Sequence, residues 1–218
     1  SVDDGDPGYS ETGTWRPTSS GGYGGSGRFA TVGLAETAAA RFIPDIPRSG
    51  LYPLSIHYVS GSNRTKAALV RVEHPGGTAE VRVNQERHGS TWRYVGTFFF
   101  LAGEGQAVEV SNVGIAGEVG EAVIADAIRI GGGLGSMPPN AGGASSGRRR
   151  ADECSVYWAR YQGAPASVYN PSGSGDDSDD VTCRPLYSEN ERDPAEDAVY
   201  VSVHSNGGGG TGTETYMY

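Results

Sequence analysis

From residue 42 to residue 130, apolar and polar residues alternate with a period of two. The runs are short and bounded by Gly, Pro and Asn, as expected of half-buried strands. Residues 51–59 put Tyr52, Leu54, Ile56 and Tyr58 on one face, and residues 68–74 turn Ala68, Val70 and Val72 inward with Arg71 and Glu73 outward. Pro75-Gly76-Gly77 is turn chemistry that returns the chain into 79–83, so the two runs read as a hairpin. Further strands are expected at 92–100, 107–111 and 122–130. Helical spacing is absent here, and the pattern predicts an antiparallel β-sandwich of jelly-roll type over residues 1–130.

The texture changes at residue 131. A Gly-rich stretch, 131–147, reads as a polar linker. Gly131-Gly132-Gly133-Leu134-Gly135 follows a strand as a dinucleotide loop would, but Pro138 stands where the last glycine belongs and the next helix begins some dozen residues later. From residue 148 the period becomes helical: ADECSVYWARYQG predicts a helix ending at Gly163, with Val156 and Ala159, and Tyr157 and Tyr161, at helical spacing. A short strand at 166–169, an acidic loop GDDSDD, a helix around 184–190 and a strand ending at His204 would follow. The chain is thus expected to be mostly β, with an incomplete α/β segment over residues 148–218.

Composition narrows the partners. The 35 Gly and 12 Pro suit a turn-rich β architecture. A formal charge of -9 repels phosphate backbones, and no basic face with interleaved aromatics offsets it, so nucleic acid is excluded as a partner. No run reaches the roughly 18 apolar residues that span a bilayer, and no charged-then-apolar leader opens the chain. Cys154 and Cys183 lack CxxC spacing. They either pair in an oxidising compartment or sit as free buried thiols, and the sequence leaves both open.

Candidate chemistry lies first in the aromatics. Trp15, Tyr23, Trp92 and Tyr94 offer ring faces that match the apolar face of a pyranose. Tyr9, Trp15 and Tyr23 fall in predicted loops, where a carbohydrate-binding role is favoured, while aromatics in strands read as core. Asp3, Asp4 and Asp6 are candidates for calcium, although Asx turns around Gly5 and Pro7 account for them equally. Asp126, an acid inside an apolar strand, is expected to hydrogen-bond to a neighbouring loop. His57 and His74 on strands, and His88 in a turn, read as structural.

Two resemblances add to this. VDDGDPGYSETGTW, YGGSGRFA, FIPDIPRSGLYPLSIHY, SGSNRT, WRYVGTFFFLAGEG and VIADAIRI, in that order, resemble the golvesin and xanthan-lyase carbohydrate-binding-like domain. That likeness implies a β-sandwich attached to secreted bacterial enzymes and in contact with polysaccharide. Downstream, VYVSVHSNGGGGTGTETY is similar to the strand and glycine-rich turn of zinc-dependent N-acetylmuramoyl-L-alanine amidases. On that likeness His204 is a zinc ligand, Asn206 shapes the site, and Glu153 is the candidate for a second ligand. A catalytic zinc takes about three protein ligands. The family's first histidine turn and its late catalytic glutamate have no counterpart in this sequence, and Glu214 reads as a strand residue. The implied protein is a secreted or cell-envelope hydrolase acting on peptidoglycan, with the sandwich inserted in the amidase; this chain alone is expected to be inactive. The alternatives are a non-catalytic binding or adhesion module with a degenerate hydrolase remnant, and a polysaccharide lyase fragment.

Overall fold

The structure, a computed structural model, describes residues 1–201 except Leu134, residues 139–143, Ser174 and Glu196. His204, Asn206 and Glu214 lie outside the described residues. Among the described residues the strands are β1 (Val2–Asp3), β2 (Tyr9–Thr12), β3 (Arg16–Pro17), β4 (Arg28–Thr31), β5 (Ala39–Phe42), β6 (Gly50–His57), β7 (Ala68–His74), β8 (Gly77–Val83), β9 (Arg93–Phe100), β10 (Val108–Ser111), β11 (Ala122–Ala125) and β12 (Ala127–Ile130). They pair antiparallel in three sheets, ordered β1-β12-β6-β9, β2-β5-β10-β7-β8 and β11-β4-β3. We call the first the front sheet and the second the back sheet.

The period-two pattern is what closes the sandwich. Leu54 and Ile56 of β6, Phe100 of β9 and Ile128 of β12 meet Phe42 of β5, Val70 and Val72 of β7 and Val108 of β10 in one buried core. Each such side chain contributes about 1.5–3 kcal/mol by leaving water. The hairpin forms where the turn chemistry places it, with His74 opposite Gly77. The outward face of the back sheet is occupied by ion pairs. Arg41 grips Glu73 through two bonds of 2.7 and 2.8 Å, and Arg71 binds Glu109 at 2.8 Å as well as Glu36 and Glu80.

The predicted strand over 122–130 is two strands. The chain passes from β11, paired with β4, to β12, paired with β6 and β1, and Asp126 is the single residue between them.

The C-terminal segment departs from the α/β expectation. A short 3-10 turn (Arg150–Asp152) leads into α1 (Ser155–Tyr161), α2 (Ala166–Tyr169) and α3 (Asp176–Glu191), and no strand occurs among the described residues after Ile130. Helix α1 ends as the sequence predicts. Gly163 adopts φ +89°, its N–H bonds Arg160 O at 3.1 Å, and Ala164 N–H bonds Ala159 O at 3.0 Å, a Schellman termination. The expected strand at 166–169 is helix α2, because its N-terminal Pro165 fixes φ at -72° and the amides of Val168, Tyr169 and Asn170 bond back to Pro165 and Ala166. The expected acidic loop is the opening of α3, whose carboxylates serve as caps. Asp180 accepts the amides of Ser155 at 2.5 Å and Val156 at 3.2 Å, and Asp179 accepts both the amide and the hydroxyl of Ser172. Residues 197–201, the start of the expected final strand, carry no regular structure. Cys154 and Cys183 are free thiols. Burial raises both to about 11, and for Cys154 the bond to Asp180 adds to the rise.

The helices dock on the end of β9. Tyr94 packs against Trp158 and Tyr161 at 5.8 Å from each ring. Arg93 bonds Gln162 O at 3.0 Å and Glu191 at 2.7 Å, and Arg87 bonds the carbonyls of Asn190 and Arg192.

Candidate functional site

The outward face of the front sheet differs from that of the back sheet in carrying a cluster of aromatic rings, with the Arg129 guanidinium over one of them. Register builds it. Arg129 of β12 lies opposite Ser55 of β6, and Ser55 lies opposite Tyr94 of β9. Since Leu54 and Ile56 face the core, this row faces out, and His57 lies two residues further along the same face. Strict alternation along β9 would place Tyr94 and Trp92 on the face of Phe98 and Phe100. The ladder instead shifts by one residue: Leu54 pairs with Gly96 and Ser55 with Tyr94, leaving Val95 extra. This bulge turns the two aromatic residues outward.

Asp126 holds the site together. Its carboxylate, fully buried, accepts the Tyr23 amide at 3.0 Å and faces His57 Nδ1 at 2.6 Å. An ionised carboxylate at this place accepts only, which selects the imidazole form that donates from Nδ1. Gly22 is required for this approach: a Cβ there would come within 2.7 Å of Asp126 Oδ1 and 1.8 Å of Ser26 O. Above the pair, the Tyr23 ring meets the Trp92 ring edge-to-face at 4.9 Å, and both flank the His57 imidazole at 5.8 and 5.5 Å. Tyr23 is 38% exposed. The Arg129 guanidinium stands over the Trp92 ring at 4.9 Å. The His57–Asp126 pair braces the loop that carries Tyr23, because the same carboxylate binds both the imidazole and the Tyr23 amide.

The residues singled out from sequence fall in different places. Tyr23 is in this cluster. Trp15 is not a surface ring: it is 6% exposed, belongs to the core and donates its indole N–H to Thr12 O, because it leads directly into β3, which the pairing with β4 holds against the sandwich. Tyr9 is half-buried against Phe42, with its hydroxyl given to Glu11 at 2.8 Å. Asp3, Asp4 and Asp6 form the Asx-type turns: Asp6 accepts the Asp3 amide and Asp3 accepts the Asp4 amide, both at 2.9 Å. Burial, with the charges of Asp4, Asp126 and Asp6, raises the Asp3 carboxyl above its ordinary value. Glu153 lies 3.7 Å from Arg150, and among the described residues no three His, Cys, Asp or Glu side chains converge as a metal site. Trp92, Arg129 and Asp126 form the site with Tyr23. In the sequence Trp92 reads as core, while Asp126 is expected to bond a neighbouring loop, as it does at the Tyr23 amide; the long-range pairing that brings the two together leaves no local signal.

Comparisons with known proteins agree with the fold of the sandwich. Xanthan lyase of Bacillus sp. (strain GL1) is 33% identical over 124 residues, which are 56% of this chain and 13% of that protein. The structure of Paenibacillus xanthan lyase superimposes with a TM-score of 0.54 at 32% identity, covering 59% of this chain and 12% of that one. A family 35 carbohydrate-binding module from Clostridium thermocellum gives a TM-score of 0.43 at 16% identity over 60% of this chain and 96% of its own. The chain therefore spans about an eighth of the xanthan lyases it resembles. The profile of the Golvesin C-terminal domain matches residues 1–132, every strand of the sandwich and more than half of the sequence, and the chain belongs to that family.

Proposed function

We propose that the sandwich is a polysaccharide-binding module of a protein secreted or held in the cell envelope, and that the outward face of the front sheet carries its binding surface. One observation carries the reading: Tyr23 and Trp92 are set edge-to-face over a fully buried carboxylate brace on the outward face of the front sheet. Rings held rigidly at low entropic cost suit the apolar face of a sugar. The relation to xanthan lyase, an enzyme named for a polysaccharide, supports the ligand class. The test is retention on insoluble polysaccharides. Tyr23→Ala and Trp92→Ala should each weaken it about tenfold, the scale of one aromatic contact, with little change in melting temperature. Trp15→Ala should instead lower the melting temperature. Unaltered retention in both surface variants would put binding elsewhere.

A narrower reading concerns the parent protein. The VHSNGGGG segment supports a zinc-dependent N-acetylmuramoyl-L-alanine amidase acting on peptidoglycan, in which His204, with Glu153, ligates the metal and Asn206 shapes the site. Its test is metal analysis of a chain carrying the flanking segments. Stoichiometric zinc lost in His204→Ala supports it, and zinc retained in that variant removes His204 from the ligand set.

A further inference from the structure

The docking of α1 on the front sheet leaves a cleft of about 240 Å³, lined by Thr91, Trp92 and Arg129 from the sandwich and by Arg160, Tyr161 and Gly163 from the end of α1. Its volume is below the roughly 300–1,000 Å³ of sites for drug-sized ligands, so it holds a single ring rather than an oligomer. Gly163 shapes its wall, since a Cβ there would lie 2.8 Å from Trp92 O.

Arg129 Nε and the Tyr161 hydroxyl are buried and have no hydrogen-bond partner among the described residues, and Tyr161 is 7% exposed. Leaving a buried donor unpaired is costly. No carboxylate lines the cleft among the described residues. Arg129 and Arg160 make no salt bridge among the described residues; each stands over an aromatic ring, Trp92 at 4.9 Å and Tyr169 at 5.7 Å. The nearby Asp152 is taken by Arg149 at 2.9 Å. Burial without a counter-ion lowers the Arg129 guanidinium from its ordinary value. In a chain of net charge -9, a pocket with two uncompensated cations and no acid is a local reversal of the field.

We propose that this cleft is a subsite for a sugar ring bearing a carboxylate, which Arg129 and Arg160 bind by charge and Trp92 by ring contact. The inference rests on the polysaccharide-binding reading above and sharpens it to acidic polysaccharides. A planar carboxylate accepts parallel N–H bonds from a guanidinium, and the indole beside it covers the sugar's apolar face. Arg160, one of the two cations, lies beyond the residues matched by the family profile, so the subsite belongs to this chain's combination of sandwich and helices.

The test compares binding of the whole chain to polygalacturonate and to the same polymer with its carboxyl groups reduced to alcohols, by calorimetry at low and high salt. The expected result is a preference of at least about tenfold for the acidic polymer, the scale of one charged hydrogen bond, which diminishes with salt. Arg160→Ala, on an exposed helical position, and Arg129→Gln should each remove most of that preference. Equal binding of the two polymers, or a preference unchanged in both arginine variants, overturns the subsite and leaves the polysaccharide-binding reading standing. Binding of a sulfated glucan but not polygalacturonate overturns the carboxylate assignment. Binding of no glycan overturns both.

Discussion

The sandwich and the helical segment are stabilised by different means. The sandwich buries large side chains, Phe42, Leu54, Tyr58, Phe100 and Ile128 among them, in pairings that reach across the sequence. The core of the helical segment is Val156, Tyr157, Ala159, Ala164, Val168 and Cys183, with one large ring and no Leu, Ile or Phe among its fully buried members. Carboxylate caps and docking contacts make up the difference. The comparison separates a body that holds its own shape from one that borrows its shape from a neighbour, and four measurements can break or refine that distinction.

The largest effect is expected on separating the two. Residues 1–132 expressed alone should melt cooperatively with a β-type far-ultraviolet spectrum, and residues 148–218 alone should show no cooperative transition. A cooperative helical fragment would erase the contrast. Next, Phe42→Ala should cost the sandwich about 3–5 kcal/mol, measured by urea denaturation of the whole chain. Asp180→Ala should cost about 1–3 kcal/mol and remove helical signal while leaving the β-transition in place, since Asp180 caps α1 and pairs with Arg184. Burial acts to raise the Asp180 carboxyl, but the bonds from Cys154, Arg184 and Val156 prevail and hold it below its ordinary 3.8. Its contribution is therefore complete above that value and disappears as the pH falls through the lower folded one.

The smallest effect concerns the seam. Burial, with Arg93 and Arg87 nearby, lowers the His88 imidazole from its ordinary 6.5, against the opposing pull of Glu191. The undocked imidazole takes up a proton that the docked one resists, so docking weakens as the pH falls below about 6.5. Fluorescence of Trp158, which lies at the seam, should report this, and His88→Gln should flatten the response.

Much of the sandwich was legible because each strand's alternation is local. Leu54, Ile56, Tyr58, Val70 and Val72 are buried as their period predicts. The short strands before residue 42 were not, since β1, β2, β3 and β5 hold two to four residues each and exist through their partners. The site was half legible. Tyr23 stands out as a loop aromatic, but the bulge at Val95 reverses the face of Trp92 and Tyr94, and one extra residue in a ladder leaves no trace in a period-two count. The helical segment misled because Val and Tyr at 166–169 favour strands in isolation. The acidic run looked like a loop because capping partners 24 and 25 residues away are invisible to local pattern.

The pairing of Val2 with Ile128 has a consequence for architecture. Because β1 and β12 run antiparallel as neighbours, the first and last strands described in the sandwich lie side by side, about one strand spacing, roughly 4.8 Å, apart. Such a unit can be spliced into a surface turn of another protein without prising that turn open, and a host could gain or shed it in a single genetic event.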